Sequence, residues 1–461
     1  MKEILNTLID ESFDQLVKDT QELVSINSVL DESTAGPGAP FGQGIRKALE
    51  LALEKGAAMG METKNCDGYA GHIQLGDSGD LVAILAHMDV VPASGEWICD
   101  PYSAEIIDNK LYGRGSVDDK GPALACLYGM KAIKDSGLPI SNRVRLILGT
   151  DEETLARGVH YYLEREEHPV CGFSPDAEFP IIHAEKGILR FLYRISYTEP
   201  HPVLKEISAG AVLNAVPAQA SALLTLDSSV ILKAIHELGM DTYCEVLPEG
   251  KNSRLNVTGI SSHASYPEDG RNALQSLYLI LGYLLHSDHP VDGFIRSLSQ
   301  GLQMETNGKT LGIYCEDEVS GGLTINPAVT SITDNNMILK FDIRYPVTAD
   351  SQKLLKSLEK IAENAGGVYE LIQHKLPLYV EKDRPFIKKM QKAYEDFMGQ
   401  PADLLSIGGG TYCRYVPNTV SCGPVFPGQK ELAHQSNEFL HLDDLRKIAK
   451  IYAQMIYNLI E

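Results

Sequence analysis

The residues best suited to chemistry begin with a histidine and an aspartate at the end of an apolar run. Residues 83–88 read Ala-Ile-Leu-Ala-His-Met, Asp89 follows, and Pro92 ends the run. Such a run is typical of a buried strand, and Asp89 points to the same side as His87 because it lies two residues on. A metal-bound imidazole usually donates its other N–H to a carboxylate, which fixes its tautomer and basicity. The pair therefore indicates metal chemistry, although a simple strand end with a solvated aspartate would look the same.

Two aspartates follow a glycine-rich turn. Residues 113–121 read Gly-Arg-Gly-Ser-Val-Asp-Asp-Lys-Gly, and an apolar helix is predicted from Ala123 to Ile133. The glycines permit a tight backbone path, and a helix N-terminus favours carboxylates and anions. A phosphate-binding loop is disfavoured because a glycine and a proline, not Ser or Thr, follow Lys120. Either Asp118 or Asp119 could be a simple helix cap, which leaves the other for chemistry.

Acidic residues also follow a second predicted strand. Residues 144–150 lead directly into Asp151, Glu152 and Glu153, three acids that repel one another. A solvated cap explains one of these acids, whereas a nearby cation explains all three. The sequence therefore predicts that a positive charge is held at the end of this strand.

Further candidates lie later in the chain. Either Asp176 or Glu178 could face the same cleft, and His434 precedes the closing helix. Two imidazoles and three or four carboxylates are ligands for a pair of Zn²⁺-like ions, with the odd carboxylate as a bridge. Two ions about 3.5–4 Å apart activate a water and polarise a carbonyl at once. The candidates at strand ends and loops are His87, Asp118, Glu152, Glu153, Asp176 and His434.

These residues need a scaffold that brings strand ends together. Open α/β sheets carry their chemistry just past the carboxyl ends of parallel strands. A chain of 461 residues is expected to form two domains. Strands and helices alternate with long polar turns after about Glu185, which predicts an inserted α+β domain. The predicted boundaries are 1–186 with 380–461 for the first domain and 187–379 for the insertion, whose rhythm indicates two similar halves.

Apolar periodicity predicts the flanking elements of the first domain. Helices are expected over residues 3–26 and 45–59. Residues 71–75 are expected to form an edge strand with His72 at the surface. A helix from Pro385 to Met398 resumes the first domain after the insertion.

Bulk composition excludes several classes of protein. The formal charge of −21 argues against nucleic acid or an anionic membrane as a partner. The start of the chain reads as an acidic amphipathic helix rather than a signal peptide, and the longest apolar run, Leu277 to Leu285, is too short to span a membrane. Eight scattered cysteines without a C-x-x-C pair are typical of reduced thiols, so a cytoplasmic protein is expected.

The motifs together resemble one known family. The segments concerned are His87–Asp89, Gly113–Gly121, Glu152–Glu153, Ser174–Pro180, Gly408–Tyr412 and His434–Glu438. With them the chain resembles the co-catalytic dizinc aminoacylase/carboxypeptidase superfamily over nearly its whole length, and in particular its dipeptidase branch of the PepV type. The resemblance implies a zinc-exopeptidase-like α/β catalytic domain, a mixed sheet flanked by helices, with an inserted α+β lid domain.

The resemblance also implies a role for each candidate in the first domain. His87 and Asp176 would hold one metal ion, Glu153 and His434 the other, and Asp118 would bridge the two ions. A cis peptide would follow the bridging aspartate. Asp89 would orient His87, and Glu152 would be the general base that takes a proton from the bridging water and later gives it to the leaving amine. The ions would be Zn²⁺, with Mn²⁺ or Co²⁺ also suited to these ligands.

The inserted domain would supply the substrate contacts. The resemblance implies that His263 stabilises the oxyanion, assisted by Asn214. Arg344 and the backbone of Gly409 and Gly410 would bind the free carboxylate of the substrate. An insertion of this length can supply His263 from the same chain, so the resemblance implies an active monomer rather than a dimer that shares lids.

Three functions are compatible with these residues. The first is a dipeptidase acting on dipeptides with a free N-terminus, favoured because Asp176 stands where related carboxypeptidases and desuccinylases tend to have Glu. The second is hydrolysis of N-acyl amino acids or N-succinyl diacids by the same dimetal chemistry. The third is a non-catalytic metal-binding module, which would need neither Glu152 nor His263.

Overall fold

A computed structural model of the chain describes residues 2–333 and 335–461. The chain divides into two compact units. Unit 1 comprises the chain up to His183 with Tyr379–Leu405 and Gly410–Glu461, and unit 2 comprises Ala184–Leu378 with Ser406–Gly409. The sequence-based boundaries place this last short segment after the insertion, whereas in the structure it packs with unit 2.

Ten α-helices occur among the described residues. They are Lys2–Val24 (α1), Gln43–Ala58 (α2), Lys120–Ser136 (α3), Arg157–Leu163 (α4), Ser228–Glu237 (α5), Ala273–Leu284 (α6), Pro290–Leu302 (α7), Ser351–Asn364 (α8), Pro385–Met398 (α9) and Leu442–Ile460 (α10). Helix α3 is buried on almost every face because α1 and α10 both pack against it. The helix that follows the two aspartates is therefore held rigidly.

The strands are mostly short. In chain order they are Glu62–Cys66 (β1), Ala70–Leu75 (β2), Leu81–His87 (β3), Ile106–Ile107 (β4), Lys110–Tyr112 (β5), Arg143–Gly149 (β6), Cys171–Ser174 (β7), Ala177–Glu178 (β8), Ile181–Glu185 (β9), Gly187–Ser196 (β10), Leu204–Ala209 (β11), Gln219–Leu224 (β12), Cys244–Glu249 (β13), Asn252–Thr258 (β14), Glu316–Asp317 (β15), Gly321–Gly322 (β16), Thr324–Ile332 (β17), Asn336–Tyr345 (β18), Val368–Lys375 (β19), Leu378–Tyr379 (β20), Leu404–Ile407 (β21), Thr419–Ser421 (β22), Pro424–Val425 (β23) and Phe439–His441 (β24).

The central sheet of unit 1 is mixed. Its strand order is β1-β2-β6-β3-β7-β22-β9-β20, with β21 also paired to β9. Strands β6, β3, β7 and β22 run parallel to one another, β1 and β2 pair antiparallel with their neighbours, and β9 pairs antiparallel with β22. All seven residues of β3 are buried. The predicted buried strand in a parallel arrangement is confirmed, as is the α/β fold with a mixed sheet flanked by helices.

The predicted edge strand is wrong. Strand β2 lies between β1 and β6, so β1 forms the edge. His72 is buried rather than exposed, with Nδ1 2.9 Å from the hydroxyl of Tyr162, and Gln74 accepts hydrogen bonds from Arg145 at 2.8 and 3.0 Å. The sequence pattern indicated solvent exposure for these polar side chains. They can be buried because each one has a hydrogen-bond partner.

Unit 2 is built on one antiparallel sheet of eight strands, in the order β13-β14-β12-β11-β17-β18-β10-β19. Only two residue pairs join β11 to β17. From that junction outward, the first half has the strand order β11-β12-β14-β13. The second half has the order β17-β18-β10-β19, so β10 occupies in the second half the position that β14 occupies in the first. Because β10 precedes the rest of its half along the chain, any relation between the halves would not appear as a linear repeat.

The helices of the described part of the chain include none that is both long and apolar enough to cross a membrane.

Candidate functional site

Three predicted positions lie at the carboxyl ends of neighbouring parallel strands. His87 is the last residue of β3 and pairs with Gly149, the last residue of β6. Glu152 and Glu153 lie three and four residues after the end of β6, and β7, on the other side of β3, leads into Asp176. Because parallel strands end at the same edge of a sheet, three separate chain segments deliver their acids and imidazole to one place.

Asp118 lies between the two predicted histidine ligands. Its Oδ1 is 2.9 Å from Nε2 of His87, and its Oδ2 is 3.1 Å from Nε2 of His434. His87 is buried, whereas the side chain of His434 is about half exposed. One carboxylate therefore reaches both imidazoles, one through each oxygen.

Two groups of potential metal ligands share this carboxylate. His87, Asp118 and Asp176 form one group, and Asp118, Glu153 and His434 form the other, with the ligand atoms within 4.8 Å of one another in each group. His434 Nε2 is also 3.0 Å from Glu153 Oε2. Imidazole and carboxylate ligands of this number suit Zn²⁺ and leave positions open for a water or substrate. The residues present could therefore hold two divalent cations on either side of Asp118.

The site contains more acidic side chains than basic ones. Burial, together with repulsion from Asp118, raises the pKa of Asp176 to about 8. Burial works against protonation of His434, but its bonds to Asp118 and Glu153 outweigh burial and raise its pKa to about 11. Carboxylates in an acid-rich cluster repel one another, so protons bind more tightly to these carboxylates and to the neighbouring imidazoles. Bound cations would relieve the same repulsion.

Glu152 lies beside the two groups without belonging to either. Burial raises the pKa of its carboxyl well above the usual range, and the nearby acids Asp176, Glu153 and Asp89 add to this effect. A partly buried carboxyl of raised pKa beside two groups of potential metal ligands is a candidate general base.

Asp89 makes different contacts from those its sequence position indicates. Nδ1 of His87 is 2.9 Å from the backbone oxygen of Asp89 and 3.6 Å from its carboxylate. The carboxylate instead accepts hydrogen bonds from the backbone N–H groups of Glu152, at 3.1 Å, and Glu153, at 3.0 Å. Asp89 therefore orients His87 mainly through its main chain, and its side chain fixes the two glutamates.

The two adjacent aspartates have separate roles. The peptide between Asp118 and Asp119 is cis, as the family resemblance implies. Asp119 occupies the N-cap position of α3, but its side chain does not cap the helix. It is fully buried and accepts a hydrogen bond from the backbone N–H of His87 at 3.2 Å. The simple helix cap is therefore wrong for both aspartates, because both carboxylates contact His87.

Sequence reasoning assigned no role to two buried residues beside these ligands. The ring of Tyr412 lies edge-on to the imidazole of His87, with the ring centroids 6.3 Å apart. The carboxylate of Glu438 accepts hydrogen bonds from the N–H of Asp118 and from its preceding loop. Their only signal in the sequence is membership of the motif segments 408–412 and 434–438. Glu178, the alternative to Asp176, is exposed and belongs to neither ligand group.

The predicted oxyanion residues lie on adjoining loops of unit 2. Ala215 and His263 form an isolated bridge, and the N–H of Ala264 donates to the carbonyl of Asn214 at 2.9 Å. Both His263 and Asn214 are exposed, and His263 Nδ1 accepts from the N–H of Ser265 at 3.2 Å. The two loops therefore hold His263 and Asn214 next to each other along a short ladder.

Arg344 is a buried residue with fixed partners in unit 2. Its Nε and Nη2 donate to the two carboxylate oxygens of Asp342, at 2.6 and 3.1 Å, and its Nη1 donates to the carbonyl of Gly408 at 2.6 Å. Arg190 donates to the same carboxylate of Asp342 at 2.8 Å. The guanidinium is therefore held in one orientation against the start of the glycine loop.

Two glycines of that loop pack closely against side chains. A Cβ on Gly408 would lie 2.7 Å from Cβ of Ser265, and a Cβ on Gly410 would lie 2.6 Å from Nη2 of Arg414. Gly409 has ordinary contact distances. The loop backbone therefore passes close to Ser265 only without a side chain at Gly408, whereas a side chain at Gly410 would displace the guanidinium of Arg414.

A third group of described residues also has metal-type side chains, namely His201, His289 and Asp292. Nδ1 of His201 accepts hydrogen bonds from the N–H groups of Val203 and Leu204, at 3.0 and 2.7 Å. Its proton is therefore on Nε2, which donates to Asp292. A cation on that nitrogen would require loss of this one ring proton, which leaves an imidazolate, so we interpret this group as a hydrogen-bonded network rather than a metal site.

Known proteins are similar to this chain in both sequence and fold. The sequence profile of "Peptidase family M20/M25/M40" matches residues 83–458. "Putative dipeptidase YtjP" of Bacillus subtilis (strain 168) is 42% identical over 456 residues, covering 97% of each chain. "Beta-Ala-Xaa dipeptidase" of Lactobacillus delbrueckii subsp. lactis is 32% identical over 463 residues, covering 98% of this chain and 97% of its own. The crystal structure of human carnosine dipeptidase 1 superposes with a TM-score of 0.61 at 16% identity, over 99% of this chain and 98% of its own, a likeness of fold. The chain belongs to peptidase family M20/M25/M40.

Proposed function

We propose that this protein is a metal-dependent dipeptidase that hydrolyses dipeptides with a free N-terminus. The relatives named as dipeptidases at 42% and 32% identity support this substrate class. The observation that carries the proposal is the position of Asp118, whose two carboxylate oxygens face His87 and His434. A carboxylate placed in this way can bridge two cations, and a bridged pair suits amide hydrolysis.

The metal ligands in this proposal form two sets around one bridge. His87 and Asp176 would hold one ion, Glu153 and His434 the second, and Asp118 both. When bound, the ions would polarise the scissile carbonyl and lower the pKa of the attacking water. Zn²⁺ matches the ligand set, and Mn²⁺ or Co²⁺ would also be accepted.

Proton transfer is assigned to Glu152. Its carboxylate takes one proton from the attacking water as the C–O bond forms, and gives that proton to the amide nitrogen as the C–N bond breaks. The products are two amino acids, and the glutamate returns to its starting state. The backbone bond from Glu152 to Asp89 supports this role because it fixes the segment that carries the base.

Stabilisation of the oxyanion is assigned to His263, with Asn214 beside it. An imidazole N–H aimed at the developing oxyanion lowers the barrier more than it stabilises the substrate. The short ladder between the two loops supports this assignment because it places the backbone of Asn214 beside the backbone of His263.

Binding of the substrate carboxylate is assigned to Arg344 and to the backbone of Gly409 and Gly410. A guanidinium held by Asp342 keeps its planar donors in place before substrate arrives. The bond from Arg344 to the Gly408 carbonyl supports a single subsite made by the arginine and the loop. A carboxylate contact of this kind would favour short substrates.

The decisive test compares free and blocked dipeptides. We expect kcat/KM for unmodified dipeptides to exceed that for their N-acetylated forms with the purified, metal-loaded protein. A preference for the acetylated or succinylated forms would show that the protein is instead a deacylase with the same chemistry. Metal-loaded protein that hydrolyses neither class would show that it is a binding module.

The active form is proposed to be a monomer. Support comes from the length of unit 2, which carries His263 within the same chain as the metal ligands. Sedimentation during turnover is expected to show a single-chain species with full activity. An obligate dimer, inactive on dilution to monomer, would contradict this part of the proposal.

A further inference from the structure

The carboxylate of Glu438 is fully buried and surrounded by hydrogen-bond donors. Its Oε1 accepts from the backbone N–H groups of Val117, at 2.8 Å, and Asp118, at 3.2 Å. The N–H of Gly115 is 3.1 Å from both oxygens, and Nη1 of Arg114 donates to Oε2 at 2.6 Å. Four of the five residues 114–118 therefore donate hydrogen bonds to this one side chain.

The same glutamate belongs to the loop that carries a metal ligand. Glu438 follows His434 by four residues and immediately precedes β24, which pairs with β5. The N–H of Gly113 donates to the carbonyl of Glu438 at 3.0 Å, so main chain and side chain both join the two loops. One loop presents Asp118 and the other presents His434.

His434 has little packing of its own to hold it in place. Its side chain is about half exposed, and its backbone has a φ of 63°. Asn437, with a φ of 60°, binds the N–H of Ile98 at 2.7 Å and the carbonyl of Glu96 at 3.2 Å. The position of His434 therefore depends on how the loop that contains it is anchored. His87, by contrast, is buried at the end of a central strand.

We propose that Glu438 is a positioning residue that sets the separation between Asp118 and His434, and that it thereby governs affinity for the second cation, the one held by Asp118, Glu153 and His434. The inference rests on the dimetal site of the proposed function. The ion between His87 and Asp176 depends less on Glu438, because two of its ligands come from the central sheet. Loss of the glutamate should therefore weaken the two ions unequally.

Glu438→Gln tests this directly. The amide can still accept at Oε1, but its NH₂ group would replace Oε2 and face the Nη1 donor of Arg114. Metal-free full-length protein is titrated with Zn²⁺ by calorimetry and with Co²⁺ by visible absorption. Wild type is expected to bind two ions tightly. In the variant one ion should stay tight and the other weaken about 10–100-fold, as with other residues that orient metal ligands.

A second variant guards against loss of fold. Glu438→Asp keeps the negative charge opposite Arg114 but draws the carboxylate back from the N–H groups of Val117 and Asp118. We expect it to show the same selective loss. Asp19→Asn is the matched control, because Asp19 is another buried carboxylate of unit 1, bonded to Lys55 and Tyr128. It should lower the melting temperature without changing either metal affinity.

Each outcome separates this inference from the proposed function. Wild type that binds two ions and Glu438 variants that bind them with unchanged or equally reduced affinity would overturn the positioning role alone. Wild type that binds no pair of ions would overturn the dimetal proposal itself. A selective loss in both variants, absent from Asp19→Asn, would support the inference whatever the substrate is.

Discussion

The carboxylate of Asp89 accepts a hydrogen bond from the backbone N–H of Glu152, with 3.1 Å between Oδ1 and nitrogen. Its other oxygen accepts from Glu153 at 3.0 Å, and its main-chain oxygen contacts Nδ1 of His87. The end of β3 is thus tied to the segment that follows β6. The proposed base and one ligand of each proposed ion depend on a single aspartate.

Asp89→Asn is expected to reduce kcat/KM about 10–100-fold, the usual effect of changing a residue that orients metal ligands. The side-chain NH₂ group of asparagine would face the backbone N–H of Glu152 or Glu153 and could not accept a hydrogen bond from it. Steady-state kinetics on a dipeptide, with metal content measured in parallel, checks this. Asp350→Asn is the control, because Asp350 also accepts from two successive N–H groups, those of Gln352 and Lys353, at the start of α8. If both variants kept wild-type activity, the side chain of Asp89 would have no positioning role.

Glu152→Gln should lower kcat by about 10²–10⁴-fold, the typical contribution of a general base. The amide cannot accept and return a proton, but Glu152 is not among the proposed metal ligands, so both ions should remain bound. Single-turnover rates and metal analysis of the same sample give the answer. Glu164→Gln, on an exposed side chain, serves as the control. Full hydrolysis by Glu152→Gln would show that the assigned mechanism is wrong.

His263→Ala is predicted to reduce kcat by about 10²–10³-fold, the range seen when one oxyanion donor is removed. KM and metal content should change little, because the contact strengthens only in the transition state. His236→Ala, an exposed histidine on α5 of the same unit, should behave as wild type. Equal activity of the His263 and His236 variants would remove His263 from the mechanism.

Removal of metal is expected to abolish hydrolysis and to lower the melting temperature. Cations that bind only the folded state stabilise it by about 2.7 kcal/mol at a free concentration 100 times Kd. Bound cations would also stabilise the folded state by neutralising the repulsion among the acids around Asp118. Calorimetry of the chelated protein, then of protein reloaded with Zn²⁺, Mn²⁺ or Co²⁺, checks both effects. Chelated protein with unchanged activity would contradict metal dependence.

Acidification is expected to destabilise the protein through His201. Burial lowers the pKa of His201, although the bond to Asp292 opposes this, and the neighbouring His289 and Lys205 also disfavour its charge. Above about pH 6.5 the ring is neutral in both folded and unfolded chains. Below that value the unfolded chain binds the proton more readily, so stability falls as pH falls.

Urea unfolding at pH 7.5 and 5.5 measures this effect. The stability advantage of metal-loaded wild type over His201→Gln should shrink at pH 5.5, because only the wild type carries the penalty of a buried neutral histidine. An advantage that stays constant or grows at the lower pH would contradict the prediction. Comparing the two proteins at each pH cancels the titration of groups that they share.

Residue types and spacing were enough to predict the strands that end at the candidate ligands, and most of those ligands. Residues 81–86 are apolar throughout, which leaves a buried strand as the simplest structure, and parallel strands can deliver His87, Glu153 and Asp176 only to one sheet edge. Long apolar runs are determined by local burial, so they can be read without a partner. The same reasoning failed for β2, because burial of His72 depends on hydrogen bonds to other segments.

By itself the sequence determined which acids and imidazoles follow strands or glycine turns, since backbone propensity and apolar patterning are local properties. Residue types alone left Asp118 and Asp119 open, and the motif resemblance assigned the shared position to Asp118. Only the tertiary structure brings Glu438, over 300 residues away, to accept from the N–H of Asp118. A buried carboxylate is stabilised by whichever donors the fold brings to it, and the identity of those donors is set by packing between distant segments. The local sequence pattern does not contain the information that identifies those donors.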